Sequence, residues 1–375
     1  MWSLLLLLSA LGPVPATATG DKPFHHTASG FRNLYVENHD KNVFTYLRMR
    51  WFGEDEYTDY RDRVGRIPVW PVNTRWLARP TNDAVRVTWL GHSTVLIQHR
   101  GINVLTDPIF SRRASPVGFG GPKRYTPLPV YPHLLPPIDY VVISHNHYDH
   151  LDADTVERLG SDTTWLVPLG LESWFLDRGI AADSVVEMDW WETVEFEGVT
   201  ISAAPSQHWS GRGLGDRFET LWASWIIDFG THRTWFGGDT GYNAQLFADI
   251  RDRFDGFDLA LIPIGAYFPR GFMRVNHVNS EESVQIHVDL DSAYSFGVHW
   301  GTFYLSGEPI DEPPARLAAE LQRRGLPADA FQTWAIGETR ELPVRAAREP
   351  GADTRDDRKA APATSEPATI EPVEE

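Results

Sequence analysis

Apolar residues along this chain gather into runs of strand length, separated by turn-forming residues. Runs at 85–98, 102–106, 140–144, 199–203, 234–236, 259–264 and 294–298 carry this pattern, flanked by Gly, Pro, Asn and Asp. Helix-like segments lie between them. One spans about 154–159. Another follows Asn279, which can cap it, with Glu282 three positions on, where a capping box places its acidic partner. A third spans 315–324, after Pro313-Pro314 and before Gly325. Strands alternating with helices predict an α/β domain. With no internal repeat or long flexible linker inside it, 81–343 reads as one domain.

The flanks differ in composition. Residues 1–20 hold an apolar run from Leu4 to Leu11, then Gly12, Pro13 and Pro15 and a small-residue Ala16-Thr17-Ala18 pattern, which together suggest a cleaved signal peptide. The expectation is an exported or periplasmic protein, the alternative a cytoplasmic or peripheral membrane one. Residues 21–80 are rich in aromatic residues and arginine, and are expected to wrap the domain. Residues 344–375 turn to Ala, Pro, Glu and Asp, too few apolar groups to offset ordering entropy, so a disordered tail is expected. Fifteen tryptophans, including Trp51, Trp70 and Trp76, suit either a core and its wrapping or a peripheral membrane contact, and the core reading is favoured.

Composition then narrows the chemistry. A formal net charge of −17 opposes a phosphate backbone, so no nucleic acid partner is expected. The 375 residues include no cysteine, which excludes disulfides, thiolate nucleophiles and Cys-ligated zinc. A transition-metal site here must use imidazoles and carboxylates.

The chain offers such a set. Ser144-His145-Asn146-His147-Tyr148-Asp149-His150 sits between a predicted strand and a predicted helix. His208, Asp239 and His299 each follow another predicted strand, Asp239 through Gly237-Gly238, glycines that remove side chains from a close approach. Singly, these would be a surface histidine, a turn aspartate and a core histidine. Together His145, His147, Asp149, His150, His208, Asp239 and His299 match the ligand set of a two-metal hydrolase.

The pattern His145-x-His147-x-Asp149-His150, followed by isolated His208, Asp239 and His299, resembles the metallo-β-lactamase superfamily. Trp89-Leu90-Gly91-His92, Leu105-Thr106-Asp107-Pro108, Gly121-Pro122-Lys123-Arg124-Tyr125, Gly237-Gly238-Asp239-Thr240-Gly241-Tyr242, Ile262-Pro263-Ile264-Gly265-Ala266-Tyr267 and His299-Trp300-Gly301-Thr302-Phe303 are similar, within it, to the N-acyl-phosphatidylethanolamine-hydrolysing phospholipase D family. The resemblance implies an αββα sandwich, two packed β-sheets with helices outside. It implies two Zn2+ ions, with iron an option in one site: His145, His147 and His208 on the first, Asp149, His150 and His299 on the second, and Asp239 bridging. Asp107 would orient a ligand histidine, with an aspartate turn before Pro108 as the alternative. Asp149, Asp239 and His277 would be catalytic, and Tyr267 and His277 would contact substrate. The apolar loop 265–273 could line an acyl cavity, although Phe268 and Gly271 stand where that family usually has an acidic residue and a tryptophan.

Two divalent ions fit the implied reaction. Bringing the pKa of water from about 15.7 to about 7 amounts to roughly 12 kcal/mol, whereas a positioned general base contributes about 3 to 5 kcal/mol. Two such ions, two carboxylates and a hydroxide sum to about +1, which complements a phosphodiester. The expected activity is hydrolysis of N-acyl-phosphatidylethanolamine to N-acylethanolamine and phosphatidic acid, with a homodimer left open. The alternatives are a same-fold hydrolase of a lactone, a nucleotide or a soluble phosphodiester, and a non-catalytic metal-binding lipid sensor.

Overall fold

A computed structural model describes residues 22–38, 63–213 and 215–344. The signal-like segment 1–20, the tail from 345 onward and Trp51 lie outside the described residues. Among those described, no helix is long and apolar enough to cross a membrane.

Two seven-stranded sheets form the centre. The first contains β1 (Ala84–Gly91), β2 (Thr94–His99), β3 (Ile102–Thr106), β4 (Tyr140–Val142), β5 (Thr164–Pro168), β6 (Val185–Met188) and β14 (Thr339–Pro343), in the order β14-β1-β2-β3-β4-β5-β6. The second contains β7 (Thr193–Phe196), β8 (Val199–Ala204), β9 (Ser224–Asp228), β10 (Arg233–Phe236), β11 (Phe257–Pro263), β12 (Ser292–Val298) and β13 (Phe331–Gln332), in the order β13-β12-β11-β10-β9-β8-β7. Both sheets begin with three antiparallel pairings, β14 through β3 and β7 through β10, and finish with three parallel ones. The fold therefore contains a topological repeat with no counterpart in the sequence pattern.

Period-two alternation explains the layers. Val85, Val87 and Trp89 of β1, Val95 and Ile97 of β2, and Val142 of β4 join Ile201, Ile227, Trp225 and Phe236 in the core between the sheets. The intervening Leu96, Leu105, Val141 and Trp165 face outward onto a second core. Helices cover both outer faces, as a largely buried sheet requires. The helices are α1 (Thr74–Leu77), α2 (Ala153–Leu159), α3 (Glu172–Leu176), α4 (Ala244–Phe254), α5 (Arg270–Met273), α6 (Ser280–Asp289) and α7 (Pro313–Arg324). Val156 of α2 and Phe175 of α3 seal the first sheet, and Phe247 of α4, Val284 of α6 and Leu317 of α7 seal the second. This is the αββα sandwich.

Several elements differ from the sequence expectation. The run 85–98 is a hairpin, because Gly91 and His92 take φ of 107° and 54° and turn the chain back on itself. Asn279 caps α6 by accepting from Glu282 N at 3.0 Å, but the Glu282 carboxylate binds Arg270 at 2.6 Å, so the capping box is not completed. Helix α7 starts at Pro313 and ends where Gly325 adopts φ 68°. Trp89, Trp165, Trp222, Trp225 and Trp235 are fully buried, whereas Trp70 is exposed.

The described parts of the N-terminal segment lie on this sandwich. Ile67 enters the inter-sheet core, Val69 bridges Ile336, and the Arg86 guanidinium sits 4.7 Å over the Trp76 ring. Farther toward the N-terminus, Phe31 N donates to Phe218 O at 2.8 Å.

Candidate metal centre

The loop after β4 is shaped before any ligand is considered. Ser144 donates to Asp107 twice, from its backbone N (2.6 Å) and its hydroxyl (2.5 Å). His150 N and Leu151 N both donate to His147 O, forming one helical turn that directs several side chains the same way. Arg212 fastens the turn from outside, donating to Asn146 O and Leu151 O at 2.7 Å each while covering the Tyr148 ring at 4.0 Å. The second sheet approaches so closely that a Cβ on Gly238 would lie 2.4 Å from Ser144 Cβ, at a φ of +56° that itself favours glycine.

All seven residues of the expected ligand set converge here. His145 Nε2 lies 2.8 Å from His147 Nδ1, which lies 3.3 Å from His208 Nε2. Asp149 Oδ2 lies 3.3 Å from His150 Nε2 and 3.4 Å from His299 Nε2. Asp239 stands between the two sets: Oδ2 is 3.3 Å from His150 Nε2, 3.8 Å from His208 Nε2 and 4.0 Å from His145 Nε2, and Oδ1 is 3.1 Å from His299 Nε2. His150 Nε2, His299 Nε2 and Asp239 Oδ1 are buried with no hydrogen-bond partner in the protein. A buried polar atom left so is costly unless something else satisfies it. A donor set of imidazoles and carboxylates around such atoms fits divalent transition metals.

Outer contacts orient these rings. His150 Nδ1 donates to Asp107 Oδ2 (2.6 Å), His208 Nδ1 donates to Asn276 O (2.9 Å), and His145 Nδ1 lies 2.9 Å from Ser144 Oγ. Each such bond leaves Nε2 facing the centre, the usual way a carboxylate or carbonyl fixes a ligand tautomer. Asp107, at the end of β3, thus touches a candidate ligand histidine directly. It corresponds in place to Asp239, which follows the equivalent strand β10 of the second sheet.

The two sets differ electrically. Burial, reinforced by neighbouring imidazoles, lowers His145 well below the ordinary histidine value, and burial lowers His147 and His208 to about 3, so this set is neutral. At the other set burial also opposes charge, yet Asp239 and Asp149 hold His150 well above the ordinary value and bring His299 up to about 9. Burial likewise opposes ionisation of Asp149 and Asp239, but His150 and His299 hold both carboxyls well below the usual range. The field of the two carboxylates therefore favours positive charge at this end of the centre.

Of the remaining predicted site residues, His277 joins the centre and Tyr267 does not. His277 Nδ1 is 3.8 Å from Asp239 Oδ2, without a hydrogen-bond partner, and burial lowers its pKa to about 3. Tyr267 is buried with its ring 5.0 Å beneath the Arg316 guanidinium of α7, so it is packed against a helix. The loop 265–273 is folded onto Glu308, which accepts from Ala266 N (2.7 Å) and Phe268 N (3.1 Å). The cavity that Gly265 and Ala266 line beside His299 and Trp300 holds about 20 Å³, too little for an acyl chain. A cleft of about 830 Å³ opens instead on the other flank of the metal loop, against Asn146, Tyr148, Trp174 and Arg178.

Two residues were missed as site residues in the sequence. His92 is buried, lies 2.9 Å from Asp149 Oδ2 through Nε2, and accepts from His299 N through its backbone oxygen at 3.1 Å. Burial, then the nearby His299, lowers its pKa to about 3, so it meets Asp149 as a neutral donor. Its signal was the Trp-Leu-Gly-His motif. Asn33 brackets the backbone of His208, donating from Nδ2 to His208 O (2.9 Å) and accepting from His208 N at Oδ1 (3.1 Å). Nothing in the spacing of the sequence marks that contact.

A family model described as a beta-lactamase superfamily domain matches residues 102–300. The chain is 42% identical over 270 residues to N-acyl-phosphatidylethanolamine-hydrolyzing phospholipase D 1 of Caenorhabditis elegans, covering 69% of this chain and 76% of that protein. It is 41% identical over 238 residues to a mitochondrial N-acyl-phosphatidylethanolamine-hydrolyzing phospholipase D of Saccharomyces cerevisiae, covering 61% of this chain but only 50% of the yeast protein. Among solved structures, isothiocyanate hydrolase from Delia radicum gut bacteria superposes with a TM-score of 0.56 at 19% identity, covering 69% of this chain and 99% of that one, a likeness of fold alone.

Proposed function

This chain belongs to the metallo-β-lactamase superfamily of hydrolases, and from that premise we propose that it is a phospholipase D-type phosphodiesterase. Its substrate in this reading is N-acyl-phosphatidylethanolamine, split into an N-acylethanolamine and phosphatidic acid. The observation that carries the proposal is the position of the Asp239 carboxylate, whose oxygens face both ligand sets at 3.1 to 4.0 Å. The identity to two proteins named for this activity supports the choice of substrate.

His145, His147 and His208 would hold one ion and Asp149, His150 and His299 the other, zinc in our reading with iron an option in one site. When bound, two such ions supply a water ionised near neutral pH and positive charge opposite a phosphodiester. The chain's own residues do the rest. Asp239 fixes the spacing between the sets, while Asp107 and His92 keep His150 and Asp149 from rotating away. His277, neutral and partly exposed, offers a hydrogen bond to a phosphate oxygen or to the departing ethanolamide oxygen. The cleft beside Tyr148 and Trp174, lined by aromatic rings and by charged groups that include Arg112, Arg113 and Arg178, offers room next to the metal loop for the lipid and its headgroup.

Hydrolysis in oxygen-18 water tests the bond that breaks. Attack at phosphorus places the label in phosphatidic acid and leaves the N-acylethanolamine unlabelled. Label in the ethanolamide would show attack at carbon and overturn the mechanism. Turnover of lactones or soluble phosphodiesters with no phospholipid cleaved would overturn the substrate while leaving the metal centre standing.

A further inference from the structure

A second convergence of metal-binding side chains lies outside the catalytic cluster, where the N-terminal segment meets the first sheet. His25 Nε2 is 2.6 Å from Asp189 Oδ1 and His26 Nε2 is 2.7 Å from Asp189 Oδ2. One ligating atom from each of the three residues lies within 4.8 Å of the other two. We propose that His25, His26 and Asp189 form a third divalent-metal site, taking Zn2+ or a similar transition ion.

The catalytic cluster provides an internal standard for this geometry. There His145 meets His147 edge to face with ring centres 4.4 Å apart, and meets His208 at 4.6 Å and 73°. His25 and His26 meet in the same way, at 4.6 Å and 68°. Two imidazole nitrogens and a carboxylate oxygen form a donor set that zinc accepts, and three protein ligands leave a fourth position for water. The open side is that of His26, whose side chain is 20% exposed.

The surroundings hold the ligands in place. His25, Asp189 and the neighbouring Trp190 are tied together: Trp190 N donates to Asp189 Oδ1 at 2.7 Å, and the indole stacks on His25 at 4.4 Å. That indole is itself fixed through a 2.6 Å bond from Nε1 to Trp222 O. Phe31 packs against one edge of the His26 ring, edge to face at 5.1 Å, and leaves the rest of that side exposed. The two histidines stand on a short hairpin, with Thr27 N donating to Gly30 O (2.8 Å) and Arg32 N to His25 O (2.8 Å), so both are preset before an ion arrives. An apolar and aromatic shell around imidazole and carboxylate ligands lowers the local dielectric and strengthens the metal bond.

The consequence reaches the catalytic centre. The same N-terminal segment carries Asn33, which brackets the His208 backbone. An ion at His25, His26 and Asp189 would pin the segment at one end and keep Asn33 seated at the other. The site is independent of the substrate assignment.

Metal counting tests this on the full chain. Wild type, His26→Gln and Asp189→Asn are saturated with zinc, freed of loose metal and examined by native mass spectrometry. Each variant is expected to hold one ion fewer than wild type. Equal counts in all three would reduce the trio to a hydrogen-bonded clasp and overturn the proposal. Zinc added after the catalytic cluster is filled should raise the melting temperature of wild type and not of His26→Gln, a substitution at a partly exposed side chain that the fold accommodates. An equal rise in both would also overturn it. Failure of the catalytic reading has a different signature: low counts throughout, with the difference of one retained.

Discussion

Replacing Asn33 by alanine removes a side chain that pairs both backbone groups of His208. Asn33 and His208 are both buried, so water does not readily replace the lost partners. An unsatisfied buried donor or acceptor costs about 1 to 3 kcal/mol, which bounds the total at roughly 2 to 6 kcal/mol for the two groups. Relaxation of the loop recovers part of this, and loss of an outer contact to a metal ligand typically weakens binding about 10- to 100-fold, or roughly 1.4 to 2.7 kcal/mol. Competition with a chromophoric chelator reads that change directly, and melting temperature reads the remainder. Asn38→Ala is the control. Asn38 Oδ1 accepts from Asn33 Nδ2 at 3.1 Å, so its loss loosens Asn33 without removing the His208 contacts. Asn33→Ala is expected to release metal at least tenfold more readily than wild type, with Asn38→Ala closer to wild type. Unchanged affinity in Asn33→Ala, or an equal loss in Asn38→Ala, would refute the reasoning.

Three further outcomes follow from the geometry. Asp239→Asn should lower kcat more than His277→Ala, because Asp239 faces both ligand sets whereas His277 stands at the edge of the centre, its Nδ1 3.8 Å from Asp239 Oδ2; equal losses at equal metal content would refute that ranking. Asp107→Ala should free the His150 ring and lower metal affinity or activity by about 10- to 100-fold, read by chelator competition and initial rates. Glu320, hydrogen-bonded to Arg323 and Arg324, has its pKa lowered from 4.5 to about 2, so its stabilising contribution is present above about pH 4.5 and lost as pH falls toward 2. The gap in melting temperature between wild type and Glu320→Gln should therefore close over that range, and a gap constant with pH would count against the pairing.

The sequence was most legible where chemistry is concentrated in short segments. His145 through His150 could be read as a unit, and His208, Asp239 and His299 stood out because each follows an apolar run. Asn33 and His92 were harder, since one acts through backbone atoms 175 residues away and the other through a carboxylate 57 residues away. Tyr267 shows a different limit. The loop pattern indicated an apolar neighbourhood, but the packing of α7, through Arg316, decided which way the ring turned. The repeat of pairing pattern between the sheets was invisible because it is made by backbone hydrogen bonds, which place few demands on side-chain identity. The hairpin within 85–98 was hidden by continuous burial: with apolar residues on both sides of the turn, only the positive φ of Gly91 and His92 reveals it.

The ligand sets also straddle the sandwich. His145 and His147 come from the first sheet and His208 from the second, and Asp149 and His150 likewise face His299 across the same edge. In a chain without cysteine, an ion held by either set would act as a cross-link, closing for example the 61-residue separation between His147 and His208. Unlike a disulfide, such a tie stabilises by binding the folded state, since the unfolded chain does not hold the ligands together, and it can be dissolved by a chelator without reduction. The ease with which a chelator removes the ions would then measure how firmly the two halves of the molecule are joined along that edge.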